Sequence, residues 1–168
     1  AIAGGMTTLV GMFYGAKEID ALNQVVFYGI KSAFFITLIS SLFVYLFADT
    51  FSSFFTKDQE IINVSVGFLQ LLCLVYPLVA VAITSGRVMQ GLGKGLPVLV
   101  ITVVRVIGIS APLAVYFSSY LHKPVEWNWY AMMLGAVTAF LIAVNWMRIE
   151  LKKINNYEEN NFEPVTQN

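Results

Sequence analysis

The chain has 168 residues, of which 58% are hydrophobic and only 12% are charged. A soluble domain of this length needs more charge to cover its surface, so the composition favours a membrane protein. The formal net charge is zero, which provides no basic field for binding nucleic acid.

The first hydrophobic run covers residues 1–16 and ends at the polar stretch 17–20. It is shorter than the roughly 20 residues that a helix needs to span a bilayer. Because it opens on Ala1 without a methionine or a basic flank, we expect a fragment that begins partway through a helix. Gly11 and Gly15 form a GxxxG pattern, which predicts close packing against a neighbouring helix.

Four further hydrophobic runs follow, each bounded by polar turns, over residues 25–55, 61–86, 96–121 and 127–147. They lack the strict alternation of a transmembrane β-barrel, so we expect helices. The predicted fold is therefore an all-α, polytopic transmembrane helix bundle over residues 1–154. The segment 155–168 is rich in Asn and Glu and contains a proline, so we predict a disordered tail.

Basic residues are distributed unequally between the two predicted membrane surfaces. One surface collects Lys17, Arg87, Lys94, Arg148, Lys152 and Lys153, whereas the other has Lys57, His122 and Lys123. The positive-inside rule assigns the first surface to the cytoplasm. We therefore expect a multi-pass protein of the cell membrane with a cytoplasmic C-terminus.

Arg105 interrupts the run 96–121 at a predicted depth of about 15 Å from Gly95, near the bilayer midplane. A charge at that depth is costly and normally faces a cavity, a partner or a substrate path. The alternative is that it snorkels to the surface, which is a long reach for one side chain. No Asp or Glu lies at a similar predicted depth. Arg105 should therefore meet backbone carbonyls, a group outside this chain or an acidic substrate.

Two prolines, Pro77 and Pro112, lie inside predicted helices, where proline removes a backbone hydrogen bond. We predict helix bending at both positions, either as a static kink or as a hinge. Gln70 and Thr84 are uncharged polar residues inside the run 61–86, and they are further candidates for a substrate-binding cavity wall.

Sequence motifs for catalysis or metal binding are absent from the apolar runs. The chain has no HExxH and no phosphate-binding GxxxxGK[ST] motif. Its single cysteine, Cys73, cannot form a cysteine-based metal cluster. An enzyme is therefore not expected, and no cofactor is predicted.

Several short blocks resemble the multidrug and toxic compound extrusion (MATE) transporters. Gln90-Gly91-Leu92-Gly93-Lys94 resembles the Gln-Gly-x-Gly-(Lys/Asp) loop in the second half of these proteins. The segment 11–17 resembles the Gly-Gln-x-x-Gly-Ala block that ends their eighth helix, with Met12 in place of glutamine. The segment 55–58 resembles the end of the ninth helix. Arg105 followed by Pro112 resembles the eleventh helix of many bacterial and archaeal members.

The resemblance covers residues 1–153 and implies part of helix eight through helix twelve of a two-lobe, twelve-helix transporter. The chain would then be an incomplete second lobe, and the first six-helix lobe would be its partner beside the lipid bilayer. The implied activity is efflux of amphipathic or cationic small molecules in exchange for H⁺ or Na⁺ by alternating access. In some sodium-coupled members an acidic residue occupies the position matching Ala80, so the coupling ion is expected in the first lobe.

Two other functions remain open from the sequence. One is a flippase for lipid-linked sugars from the same superfamily, because a deep arginine suits a lipid phosphate. The other is a non-transporting membrane scaffold in which the polar residues only fix helix packing.

Overall fold

The computed structural model describes residues 2–120 and 126–162, and the described part is almost entirely helical. The helices in chain order are α1 (Ile2–Gly15), α2 (Ile19–Leu46), α3 (Ala48–Phe55), α4 (Gln59–Gly91), α5 (Leu96–Val103), α6 (Ala111–Val115) and α7 (Glu126–Phe162). Two π-helical segments, Val104–Ser110 and Tyr116–Tyr120, continue α5 and α6. The predicted all-α class is confirmed.

Four helical stretches of the described chain are long and apolar enough to cross a membrane: Ile19–Leu46, Gln59–Gly91, Leu96–Ser118 and Trp127–Tyr157. The shortest has 23 residues. At about 1.5 Å per residue it still exceeds the roughly 30 Å hydrocarbon core. Their outer surfaces carry large apolar side chains, such as Leu46 and Leu74, which are 68% and 70% exposed. This exposure suits lipid contact, and the predicted polytopic membrane bundle is confirmed.

The helix ends differ from those predicted from charge. The predicted helix 25–55 is two helices, since α2 begins at Ile19 and the chain bends at Phe47 before α3. The predicted helix 61–86 extends further at both ends, to Gln59 and Gly91. The Asp58 carboxylate accepts the Glu60 N–H at 3.0 Å, which caps α4 within its polar turn. Charged residues mark the edge of the apolar core, whereas caps decide where a helix ends.

The last helix continues to Phe162, beyond residue 154 where we predicted the disordered tail to begin. Extending an existing helix adds a hydrogen bond for each residue fixed, so a polar segment can continue it. The Asn23 Nδ2 also donates to the Asn155 Oδ1 at 3.0 Å, which ties this extension to α2. Residues 155–162 are therefore helical, and residues 163–168 lie outside the described residues, as does most of the predicted polar turn 122–126.

Helix α4 is the centre of the bundle, because it packs against α1, α2, α3, α5 and α7. The buried core gathers where α1, α2, α4, α5 and α7 meet, and it includes Met6, Val10, Leu22, Val26, Val88, Met89, Ile101 and Ala143. Two polar contacts lie at the end of the bundle that contains this core: Asn23 with Asn155, and Lys94 with Glu150. They bring the start of α2, the loop after α4 and the end of α7 to one membrane surface, as the alternation of spans requires.

Helix α1 approaches the backbone at the end of α4 closely. A Cβ atom at Gly91 would lie 2.7 Å from the Thr7 carbonyl oxygen and 2.8 Å from the Val10 Cβ. Only glycine fits this contact without moving a backbone. A Cβ atom at Gly11 would lie 3.5 Å from the Gly91 carbonyl oxygen, whereas a Cβ atom at Gly15 would meet no neighbouring described atom within 4 Å. Within the described residues, Gly11 therefore packs near Gly91, and Gly15 has no such neighbour.

Candidate functional site

Arg105 lies on the π-helical segment Val104–Ser110 in the middle of the third long span. Its side chain is half-buried, and no acidic side chain of the described chain lies within ion-pair distance. It also makes no hydrogen bond with a described residue. Among the described residues, this charge in the middle of an apolar span is the strongest candidate for a functional group.

The π-helical geometry around Arg105 follows from the local sequence. Pro112 has no N–H to donate back along the helix, so the preceding turns are free to widen. The Ala111 N–H instead bonds to the Val106 carbonyl, five residues earlier. Such widened turns occur often at functional sites because they change the direction of the side chains. Pro112 itself is exposed on the outer surface of α6.

The first cavity beside Arg105, here called the aromatic cavity, has a volume of about 300 Å³. It lies between α4, the Arg105 segment and α7. Its walls are apolar and rich in rings and thioethers, and they include Phe68, Tyr76, Trp129, Met132 and Met133 with Arg105. The Phe68 and Trp129 rings pack with their centroids 5.3 Å apart. Such a lining can accept flat, amphipathic molecules.

A second cavity, here called the arginine cavity, has a volume of about 260 Å³ and lies nearer the end of α4. Its polar lining consists of Arg87, Gln90, Thr102 and Arg105. Val79, Arg105 and Ala136 line both cavities, so the two spaces adjoin at the arginine. Within the described part of the chain, no carboxylate lines either cavity.

Gly135 allows α7 to pack closely against the segment that carries Arg105. A Cβ atom at this position would lie 2.2 Å from the Ser110 Oγ and 3.2 Å from the Arg105 carbonyl oxygen. Glycine therefore lets α7 approach the π-helical segment that carries Arg105. The sequence gives no motif for this contact, because Gly135 stands alone in an apolar run.

Gln70 and Pro77 line a different space between α2 and α4, with a volume of about 560 Å³. This cavity does not include Arg105. The Ser41 hydroxyl also borders it and, within the described residues, has no hydrogen-bond partner. The structure therefore does not bring Gln70 together with Arg105, although both were predicted to bind substrate.

Thr84 is 1% exposed, and its hydroxyl donates to the Ala80 carbonyl at 2.8 Å. It lines neither the aromatic cavity nor the arginine cavity. This position does not suit the predicted substrate-binding role. The sequence places Thr84 inside an apolar helix, but the direction of a side chain depends on helix packing and was not predictable from polarity alone.

Sequence reasoning missed an ion-pair cluster that joins the glycine-rich loop to α7. Lys94 pairs with Glu150, and Lys153 approaches the same carboxylate at 3.4 Å. Glu150 is only 7% exposed. The two lysines were counted only as cytoplasmic charges. Lys94 and Glu150 are 56 residues apart in the sequence, so no local pattern indicates that they pair.

Replacing Glu150 with glutamine should lower the free energy of unfolding by about 1 kcal/mol. The Lys94 side chain is 42% exposed, so solvent screening limits the loss. The midpoint of thermal unfolding in detergent measures this effect. Glu18→Gln is the matched control, because Glu18 is exposed and forms no ion pair among the described residues. Equal midpoints for the two variants would contradict the assignment.

A sequence profile of the MatE family matches residues 1–116. No curated protein sequence matches the chain. The structure is similar to an inward-facing multidrug resistance MATE family transporter of the MOP superfamily, at 25% identity and a TM-score of 0.83. That likeness covers 92% of this chain and 36% of the other.

Two further solved structures share the fold. One is a MATE in the bent conformation, with 23% identity, a TM-score of 0.84 and coverage of 94% of this chain and 34% of that one. The other is a MOP superfamily transporter from Pyrococcus furiosus, with 24% identity, a TM-score of 0.83 and coverage of 91% and 34%. The chain thus spans about a third of the length of the structures it resembles.

Proposed function

Because this chain belongs to the MATE family, we propose that it supplies much of the second lobe of a secondary active exporter. The exporter moves amphipathic or cationic compounds out of the cell in exchange for H⁺ or Na⁺. Solved family members about three times as long leave room for a first six-helix lobe beside this one. Membership of a transporter family, rather than a missing catalytic motif, supports transport over an enzymatic role.

The observation that carries this proposal is the aromatic cavity with Arg105 at its edge. Phe68, Tyr76 and Trp129 offer aromatic surface for flat apolar groups, and Met132 and Met133 adapt to different shapes. Arg105 adds one polar anchor beside otherwise apolar walls. This combination binds molecules with an apolar body and a polar end, without strict selection among them.

The coupling ion is proposed to bind in the first lobe. Of the carboxylates in described positions, none lines the aromatic cavity or the arginine cavity, and Glu150 is paired with lysines. Protons and sodium ions are normally bound by carboxylate oxygens in membrane carriers. Alternating access would then open the cleft between the lobes to one membrane surface at a time.

The protein is proposed to lie in the cell membrane with its C-terminus in the cytoplasm. All six lysines and arginines assigned to the cytoplasm lie at the surface where the start of α2, the end of α4 and the end of α7 meet: Lys17, Arg87, Lys94, Arg148, Lys152 and Lys153. Lys57 lies at the opposite end, between α3 and α4. Cysteine labelling from each side of the membrane at positions 57 and 152 tests this orientation. Labelling of position 152 from outside intact cells would overturn it.

A drug-susceptibility assay tests the proposed function. The complete gene product is expressed in a host without its own efflux pumps, and growth is measured with dyes, cationic antiseptics and neutral amphipathic drugs. Raised resistance with lower intracellular dye supports efflux.

A second candidate, a flippase for lipid-linked sugars, is favoured by the two arginines that line the arginine cavity. Lipid flipping without drug resistance would select it, and neither activity would leave a scaffold.

Pro77 is proposed to act as a hinge in α4. It is buried in the middle of the 33-residue helix and cannot donate a backbone hydrogen bond. Pro77→Ala should leave thermal stability equal or higher, because alanine restores that bond, while it lowers the efflux rate by about threefold or more. Pro97→Ala is the control, since Pro97 lies in the first turn of α5, where proline is tolerated. Unchanged efflux in Pro77→Ala would identify a static kink.

A further inference from the structure

We propose that the arginine cavity binds a phosphate-type anionic group. Arg87 comes from the last turns of α4 and Arg105 from the π-helical segment of the next span, so two separate elements place a guanidinium on one cavity. Guanidinium groups match phosphate oxygens with paired, charge-assisted hydrogen bonds. The proposal concerns binding, and it holds whether or not the protein exports drugs.

The charge of this cavity is not neutralised by the described part of the chain. The Arg87 Nη1 donates to the Gln90 Oε1 at 3.0 Å, and Arg105 has no polar partner among the described residues. The lining contains no Asp or Glu. Two positive charges facing one small space repel each other unless an anion lies between them. A bound oxyanion would therefore offset the positive charge of the cavity.

One neutral side chain of the cavity, Gln90, can also donate a hydrogen bond to an anion. The Gln90 Oε1 accepts from Arg87, which leaves the amide NH₂ of Gln90 as a donor. The Thr102 hydroxyl donates to the Val98 carbonyl at 2.9 Å, so its proton is not available to an anion. The site thus offers two guanidinium groups and one amide as donors.

Size and surroundings define the class of ligand. A volume of about 260 Å³ suits a headgroup rather than a whole drug-sized molecule. The remaining walls are apolar, with Val79, Ile101 and Ala139 among them, and low polarity strengthens a charged contact. The ligand can be the headgroup of an anionic lipid or free phosphate, which share the same oxyanion chemistry.

Binding to the purified complete gene product in a non-ionic detergent tests the proposal. Calorimetric titration uses three probes: inorganic phosphate, dihexanoyl phosphatidylglycerol and dihexanoyl phosphatidylcholine. The anionic probes should bind, and added sodium chloride should weaken them. Binding of phosphate alone identifies a free anion as the ligand. Binding of phosphatidylglycerol without phosphate identifies a lipid headgroup. Equal binding of phosphatidylcholine and phosphatidylglycerol would overturn the proposal, since charge would not matter.

Variants locate the site. Arg87→Gln should weaken the anionic probe about tenfold or more, because one charge-assisted contact is lost, and Arg87→Lys should weaken it less. Arg148→Gln is the matched control, an exposed arginine on α7 that does not line this cavity. Only variants that remain monodisperse are compared. No binding to the wild-type protein, or equal binding by Arg87→Gln and Arg148→Gln, would refute the site. Wild-type anion binding without any efflux would refute the proposed exporter but not this inference.

Discussion

Arg105→Ala should lower the rate of drug efflux about tenfold or more while the protein still inserts and folds. Among the described residues, Arg105 alone brings a charged group to the lining of the aromatic cavity. A hydrogen bond to a charged group contributes about 1.5–3 kcal/mol, so its loss corresponds to a rate or affinity change of this size. Because Arg105 has no ion-pair partner in the described chain, its removal leaves no described carboxylate unpaired.

The measurement is dye efflux from cells at matched expression, together with thermal stability of the purified variant. Stability should be equal or higher, since an unpaired charge in an apolar span is costly. Arg148→Ala is the control, because Arg148 is exposed near the end of α7 and lines neither cavity at Arg105. Efflux at the wild-type rate in Arg105→Ala would remove the arginine from the transport mechanism. A loss of folding would instead show that Arg105 has a structural partner outside this chain.

Gly91→Val should destabilise the bundle more than any other single substitution considered above. Even the first added carbon would lie 2.7 Å from the Thr7 carbonyl oxygen, which is backbone and cannot rotate away. Helix α1 would have to move, which also disturbs the 3.4 Å hydrogen bond from the Thr7 hydroxyl to the Arg87 carbonyl. Overpacking of this kind costs about 1–3 kcal/mol, and more where a backbone must shift.

Gly15→Val is the matched control for this substitution. Gly15 and Gly91 each end a helix, but a Cβ atom at Gly15 would meet no described atom within 4 Å. The midpoint of thermal unfolding and the monodisperse yield should fall for Gly91→Val and change little for Gly15→Val. If Gly15→Val were the more damaging of the two, the small-residue contact of α1 would lie elsewhere.

The sequence was sufficient to predict the fold class and the membrane spans, because long apolar runs are a direct consequence of the bilayer. It was also sufficient to single out Arg105, since a deep charge is conspicuous in such a run. The helix ends were less accurate. The cap formed by Asp58 and the packing of α7 beyond residue 154 depend on contacts that composition does not report.

The surroundings of Arg105 could not be derived from the sequence. The π-helical segment changes the direction of its side chain, and α7 approaches it only because residue 135 is glycine. That Arg87 and Arg105 line one cavity follows from the packing of their helices, and Thr84 lies in the core for the same reason. Each of these is a tertiary contact between residues far apart in the chain, for which a single sequence holds no local pattern.

Transport in proteoliposomes tests the central claim most directly. The complete gene product is reconstituted in parallel with its Arg105→Ala variant, and movement of a fluorescent, uncharged amphipathic dye is followed after a proton or sodium gradient is imposed. The account predicts gradient-dependent transport by the wild-type protein and about a tenfold loss in the variant. A transport rate that does not depend on either gradient would contradict the assignment as an ion-coupled exporter. So would the absence of transport by a folded wild-type protein.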